Sequence, residues 1–454
     1  MKERKRRLQG MTLITCLMIG AGALIFGMGI GSAWSADKVP KEIRIGDTLS
    51  MTGPLASFGF TRFGTEAAIE DINKQGGVFV KKYGKKLPIK WITRDTQSDM
   101  LKVGPLTEDL ILNEKVQILG GHIEPPHMRQ GSAVMAEKYK IPALVGVGPF
   151  ESWSAIKAAA GPFKYTYTWG IAIGTPPSKG HPQYGNKGYL LMETWFGGTR
   201  PYIDKTNKKM ALAAADDPDG RAWYMQFAEI VKPFGYDCYG ADKQIGMFPP
   251  GTTDFSSIIN EWKKAGCEVL FCSSSGPDFG TLWKQCHTLG FKPKLVFVTR
   301  GAIYYRDIES WGGLAHGVTM ELYWDPSMKN CRGIGNTTPQ SLAERFFAKT
   351  KEPYICQGIA FDYMIMQIII DSIERAGTLE AEPLLKAFGE TNLKTTINGP
   401  AIFDKATQHV RHSAQLGQWR KTNKPSKFEA PCVFSYNDFM PASAEFIFPI
   451  PYDK

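Results

Sequence analysis

Short apolar runs recur along this chain, and each is followed by a stretch whose apolar residues fall at helical spacing. "IRIGDTLS" (43–50), "LPIKWITRD" (87–95), "VQILGG" (116–121) and "IPALVG" (141–146) form one series of predicted strands; "KMALAAADD" (209–217), "EVLFC" (268–272) and "KLVFVT" (294–299) form a second. Between them, Ala68, Ile69 and Ile72 share a helix face that stops at Gly76. Val103, Leu106 and Leu110 share another, and Phe255, Ile258, Trp262 and Ala265 a third that stops at Gly266. Continuously apolar strands alternating with amphipathic helices imply parallel sheets covered on both faces. Two such series, separated by a glycine-, proline- and tyrosine-rich passage (161–207), imply two similar α/β lobes. The length of 454 residues, long for a single core, agrees.

The first residues stand outside this pattern. Basic "MKERKRRLQG", apolar "MTLITCLMIGAGALIFGMGIG" and small-residue "SAWSADK" follow one another as the n-region, h-region and cleavage site of a signal peptide. Residues 1–36 are therefore expected to be a leader, cut after Ser35 or Ala36, and the mature chain to be periplasmic and not membrane-spanning. The whole sequence carries a net charge of +10; removing the leader leaves it near +6, scattered too widely for a nucleic-acid footprint. Seven cysteines follow the leader, an odd number. Cys267 and Cys272 bracket a predicted strand, whose length and alternating faces rule out a bridge between them.

Several passages in order resemble the periplasmic binding proteins for branched-chain amino acids: "SMTGPLASFGFTRFGTEAAIEDINKQGGV", "GHIEPPHMRQGSAVMAEKYKIPALVG", "GTTDFSSIINEWKKAGCEVLFCSSSGPDFGTLWKQCHTLGF", "AFDYMIMQIIIDSIERAGT" and "INGPAIFDKATQHV". The resemblance covers nearly all of the chain beyond the leader. It implies the type I periplasmic binding protein fold, α/β, with two Rossmann-like lobes joined by three crossing segments that close on a ligand like a hinged clamp. The expected division is 37–165 with 325–400 for lobe 1, and 166–324 with 401–454 for lobe 2. The implied role is capture of a small molecule for an ABC importer, the partners being a permease and its ATPase subunits, with no cofactor.

The chain departs from that family where the family grips its amino acid. The serine-rich loop after the third strand is here "GGHIEPPHMRQ", with Glu124 and with His122 and His127 flanking it. The next loop is "LVGVGPFESW", with Phe150 where Ser or Thr is usual, and Arg300 stands where an acid would meet the ligand's ammonium. An arginine at a strand's carboxyl end faces the ligand crevice of a parallel sheet. It would repel an ammonium and suit a carboxylate through paired charge-assisted hydrogen bonds. Arg300 therefore either anchors the ligand's acid group or salt-bridges Asp219 or Glu124 and props the site open. Phe58, Phe150, Tyr167 and Trp169 are expected to line the crevice or pack beside it. Asp219 would accept from a ligand or pair with Arg300, and Ser275 would bind ligand or simply make a turn.

The ligand expected from these departures is a carboxylate-bearing, possibly aromatic, organic acid; a branched-chain or other amino acid or amide is the alternative. His122, Glu124 and His127 on one stiff loop make a poor metal shell without distant ligands. The chain has no G-x-S-x-G, G-x-x-x-x-G-K-[ST] or H-E-x-x-H motif. A hydrolase or a ligand-sensing module on the same fold is the remaining alternative to a binding protein.

Overall fold

A computed structural model describes residues 39–183 and 187–452; the expected leader lies outside the described residues. Two large sheets form the frame. In the first, the strands run in the order Ile89–Asp95, Ile43–Leu49, Ile118–Glu124, Ala143–Val147, Thr166–Gly170 and His409–Arg411, all parallel. Gly399–Asp404 and Asn392–Thr396 then extend it antiparallel. In the second, Met247–Phe248, Lys209–Ala215, Val269–Ser274, Leu295–Arg300 and Thr319–Leu322 are parallel, and Gln415–Gln418 and Cys432–Phe434 are antiparallel additions. The predicted strands of both series are present. Away from the partly buried edge strand Ile89–Asp95, their near-complete burial is what unbroken apolar runs demand when helices cover both faces.

The chain crosses between the sheets three times: after Gly170, after Leu322, and between Arg411 and Gln415. The first and third crossings differ from the expected lobe boundaries. Thr166–Gly170 was placed in lobe 2, but it pairs in register with Ala143–Gly146 of the first sheet. Residues 401–411 belong there too, because His409 pairs with Thr168. Periodicity identifies a strand but not the neighbour it bonds to, so the boundary slipped at the first and third crossings.

Helix ends follow local chemistry. Asp217 caps the helix Pro218–Val231 by accepting from the Gly220 N–H at 2.7 Å, with Pro218 at the first helical position. Gly266, at φ +69°, closes Ser256–Ala265 as expected. The helix Gly358–Ala376 is buried around most of its surface and packs on both the first sheet and the helix Arg62–Lys74. At that crossing a Cβ on Gly64 would overlap the Ile359 carbonyl oxygen and lie 2.9 Å from the Tyr363 nitrogen. Both neighbours are backbone and cannot swing aside. Gly64→Ala is expected to cost about 1–3 kcal/mol in denaturant unfolding; an unchanged midpoint would mean the two helices can separate without loss.

The seven cysteines among the described residues are unpaired, with Cys238 half-buried and the others buried. No helix among the described residues is long and apolar enough to cross a membrane.

Candidate functional site

The carboxyl ends of the two sheets face one cavity. Ile123 and Glu124 reach it from the end of one first-sheet strand, Trp169 from another, and Phe361 from the central helix. The second sheet contributes Thr299 and Arg300 from one strand end and Glu321 and Tyr323 from the next. Asp219 and Trp223 come from the first turns of the helix that Asp217 caps. Phe58 and Tyr304, on opposite sides, meet edge to face at 5.0 Å between centroids. Below them the Arg306 guanidinium stacks 4.0 Å over the Phe60 ring. A crevice at the carboxyl ends of parallel strands is where open α/β sheets bind ligands. Six aromatic rings in its wall suit a flat apolar body.

Arg300 is the cation of the cavity wall among the described lining residues. It ends its strand with φ +61°, a left-handed conformation uncommon for a side chain of this size. Its Nη2 donates to Asp217 Oδ2 at 2.9 Å, and its Nη1 to Asp217 Oδ1 and Asp219 Oδ2, both at 3.2 Å. The pairing foreseen with Asp219 is therefore present, and Asp217 joins it. Nε of Arg300 is buried without a partner. Glu321 accepts from the Thr299 hydroxyl at 2.6 and 2.7 Å and from the Arg300 backbone N–H at 3.0 Å. Burial pushes the Asp219 carboxyl up to about 7, against the pull of Arg300. Burial raises Glu321 as well. Burial also opposes the charge on Asp217, but Arg300 and His127 outweigh it and hold that group below the ordinary carboxylate range.

Behind Glu124 lies a second charged group, sealed from solvent. Arg129 Nη1 donates to Asp47 Oδ1 and to the Thr48 carbonyl, both at 2.8 Å, and Nη2 lies 3.6 Å from Glu124 Oε2. His122 Nδ1 meets Asp47 Oδ2 at 2.6 Å, and Glu124 Oε1 accepts the Ser50 N–H at 2.7 Å. Burial and Arg129 both disfavour a charged His122, yet Asp47 and Glu124 prevail and push it up to about 9. Two acids and two cations thus balance. Asp362 accepts the Ile123 N–H beside them, and burial pushes its carboxyl up to about 8.

These groups fix the sign of the pH dependence. His122, Asp362 and Asp219 have folded values above their ordinary ones. The stability they contribute is present at low pH and lost as pH rises through about 7, 8 and 9 in turn. Asp47, Glu124 and Asp217 are depressed, so their contribution is lost on acidification below the ordinary carboxylate range. The melting temperature is expected to peak near the ordinary carboxylate range, about pH 4, and to fall from there up to about pH 9. A flat melting profile across that window would contradict the charge states assigned here.

Of the residues singled out from sequence, Phe58, Glu124, Trp169, Asp219 and Arg300 line the cavity. Five others sit elsewhere. His122 is Asp47's buried partner. His127 opens the helix His127–Tyr139, buried beside Asp217 and Arg300 but behind the wall. Phe150 packs on His409 at 5.0 Å, with the Arg411 guanidinium 4.6 Å over its ring. Tyr167 lies two residues earlier than Trp169 on the same strand face, roughly 7 Å further from the carboxyl end; it packs on Phe388 and Phe403. Ser275 caps the helix Gly276–Thr288, donating to Asp278 Oδ2 at 2.9 Å, so it is spent on the turn.

Sequence reading missed Trp223, Glu321, Tyr323 and Phe361. Trp223 could have been found, since it shares a helix face with Asp219 four residues before it. Glu321 lies in "GVTMEL", a run too short and too polar to stand out as a strand.

A family model described as periplasmic binding protein matches residues 42–424. The Leu/Ile/Val-binding protein homolog 7 of Brucella suis biovar 1 (strain 1330) is 22% identical over 412 residues, covering 89% of this chain and 94% of that one. Among solved structures, the leucine binding protein LivK of Thermotoga maritima MSB8 superposes with a TM-score of 0.67 at 17% identity, over 87% of this chain and 99% of its own. A solute binding protein of an R. palustris ABC transporter, solved with 4-hydroxybenzoate, gives a TM-score of 0.66 at 18% identity, over 88% and 98%.

Proposed function

The chain belongs to the periplasmic binding protein family, and from that premise we propose that it captures a small organic acid with a flat apolar body and hands it to the permease of an ABC importer. The observation that carries this reading is the cavity itself. It opens at the carboxyl ends of both sheets and is walled by six aromatic rings, and a ligand carboxylate would find its counter-charge in Arg300. The leader expected from sequence and the family's setting support a mature chain that works in the periplasm, its lobes closing on the ligand by favouring the closed state. The R. palustris relative solved with 4-hydroxybenzoate supports an aromatic acid as the ligand class. The site reads as a binding site, with no catalytic step assigned to it.

Asp219, Glu124 and Glu321 in the same wall favour a second reading, in which an ammonium meets one of these acids. Leucine named for the Thermotoga relative represents that class. A thermal-shift panel of benzoate-type acids against leucine and isoleucine separates the two. A ligand at a hundred times its Kd adds about 2.7 kcal/mol to unfolding, so stabilisation by the aromatic acids is the expected result. Stabilisation by leucine or isoleucine alone would sink the first reading.

A further inference from the structure

Asp219 holds the position on which an acid ligand would depend. Its side chain is 1% exposed. Oδ2 accepts from Arg300 Nη1 at 3.2 Å, and Oδ1 accepts from the Ser152 hydroxyl at 3.1 Å, reaching across from the helix Phe150–Ala160. The charged groups facing it come from every side. Arg300 ends one strand, Glu321 stands near the end of the next, Asp217 precedes it at its own helix cap, and His127 lies beyond Asp217. One guanidinium therefore already serves two aspartates, with a third acid close by. A ligand carboxylate added to that set with every acid ionised would meet more repulsion than attraction in a site shielded from water.

Resting on the organic-acid reading above, we propose that Asp219 determines what the cavity accepts: an anionic ligand binds together with one proton, which Asp219 takes from solution. The proton converts Asp219 from an acceptor into a neutral carboxylic acid. Arg300 Nη1 is released to the ligand's carboxylate, and the new Asp219 O–H becomes a donor to it. The charge of the site is the same before and after binding, because the ligand brings one negative charge and the proton one positive. Burial has already raised Asp219 close to neutrality, so the proton is taken up at small cost. A zwitterionic amino acid would need the opposite state, with Asp219 ionised towards the ammonium.

The test is calorimetric titration of 4-hydroxybenzoate, benzoate and leucine at pH 8, in two buffers of different ionisation enthalpy. Uptake close to one proton per aromatic acid is expected, with affinity falling about tenfold per pH unit above that range. In Asp219→Asn, a neutral stand-in of the same shape, uptake should vanish and the affinity should become independent of pH. Aromatic acid binding without proton uptake overturns the proposal and leaves the organic-acid reading standing. Uptake that persists in Asp219→Asn overturns it equally, since another group then carries the proton. Leucine heat with no response to either acid overturns the organic-acid reading and this proposal with it. If the variant does not fold, the two-buffer comparison on the unaltered protein still decides.

Discussion

Arg129→Met is expected to lower the unfolding free energy by about 3–5 kcal/mol, read from denaturant or thermal melts. Methionine fills most of the volume, so little of this loss comes from a cavity. The cost is electrostatic. Arg129 is fully buried, and its Nη1 holds Asp47 and the Thr48 carbonyl while Nη2 faces Glu124. Without it, two sealed carboxylates confront one imidazolium, and one acid must either take a proton or stay charged with no counter-ion. Arg129→Lys restores the charge but not the planar fork, so an intermediate loss is expected. A methionine variant within about 1 kcal/mol of the parent would show that the group carries little of the fold's stability.

Arg300→Ala comes second, with two separate effects. Asp217 and Asp219 lose their shared cation, which is expected to cost about 3 kcal/mol. The estimate sits at the low end of that range because Asp217 keeps 20% of its side chain exposed to water, and Asp219 can take up a proton. The same change removes the cavity wall's cation, so stabilisation by aromatic acids should disappear at concentrations that saturate the parent. Loss of stability with ligand response intact would assign Arg300 to the scaffold alone. It would also move the search for the anchor to the backbone and hydroxyl donors around Thr299 and Tyr323.

The frame was legible in the sequence because a parallel sheet buried on both faces leaves an unmistakable trace. Leu295–Val298 and Met210–Ala215 have no polar interruption, and glycine closes a helix at Gly266. The candidate site was half legible for the same reason: Glu124, Asp219 and Arg300 stand where long apolar strands stop. What was hidden depended on partners far away in sequence. Asp47, His122 and Arg129 form one group across 82 residues, and no local pattern marks His122 as a buried cation rather than a ligand contact. Phe150 and Tyr167 had the right chemistry, but His409, Phe388 and Phe403 compete for them. Asp217 was read as part of a strand and turned out to be a helix cap that also grips Arg300.

The order in which the strands enter the two sheets has a consequence in time. The first sheet is closed at one side by His409–Arg411, Gly399–Asp404 and Asn392–Thr396, and the second by Gln415–Gln418 and Cys432–Phe434. The Thr168 hydroxyl meets His409 across 241 residues of chain. As the polypeptide grows from the ribosome, Thr166–Gly170 and Thr319–Leu322 are each left with an unpaired edge until the final stretch is made. Neither half can lock early, and both are completed almost together, by closures that span long loops and are correspondingly slow. A nascent chain of this design stays pliable through nearly the whole of its synthesis.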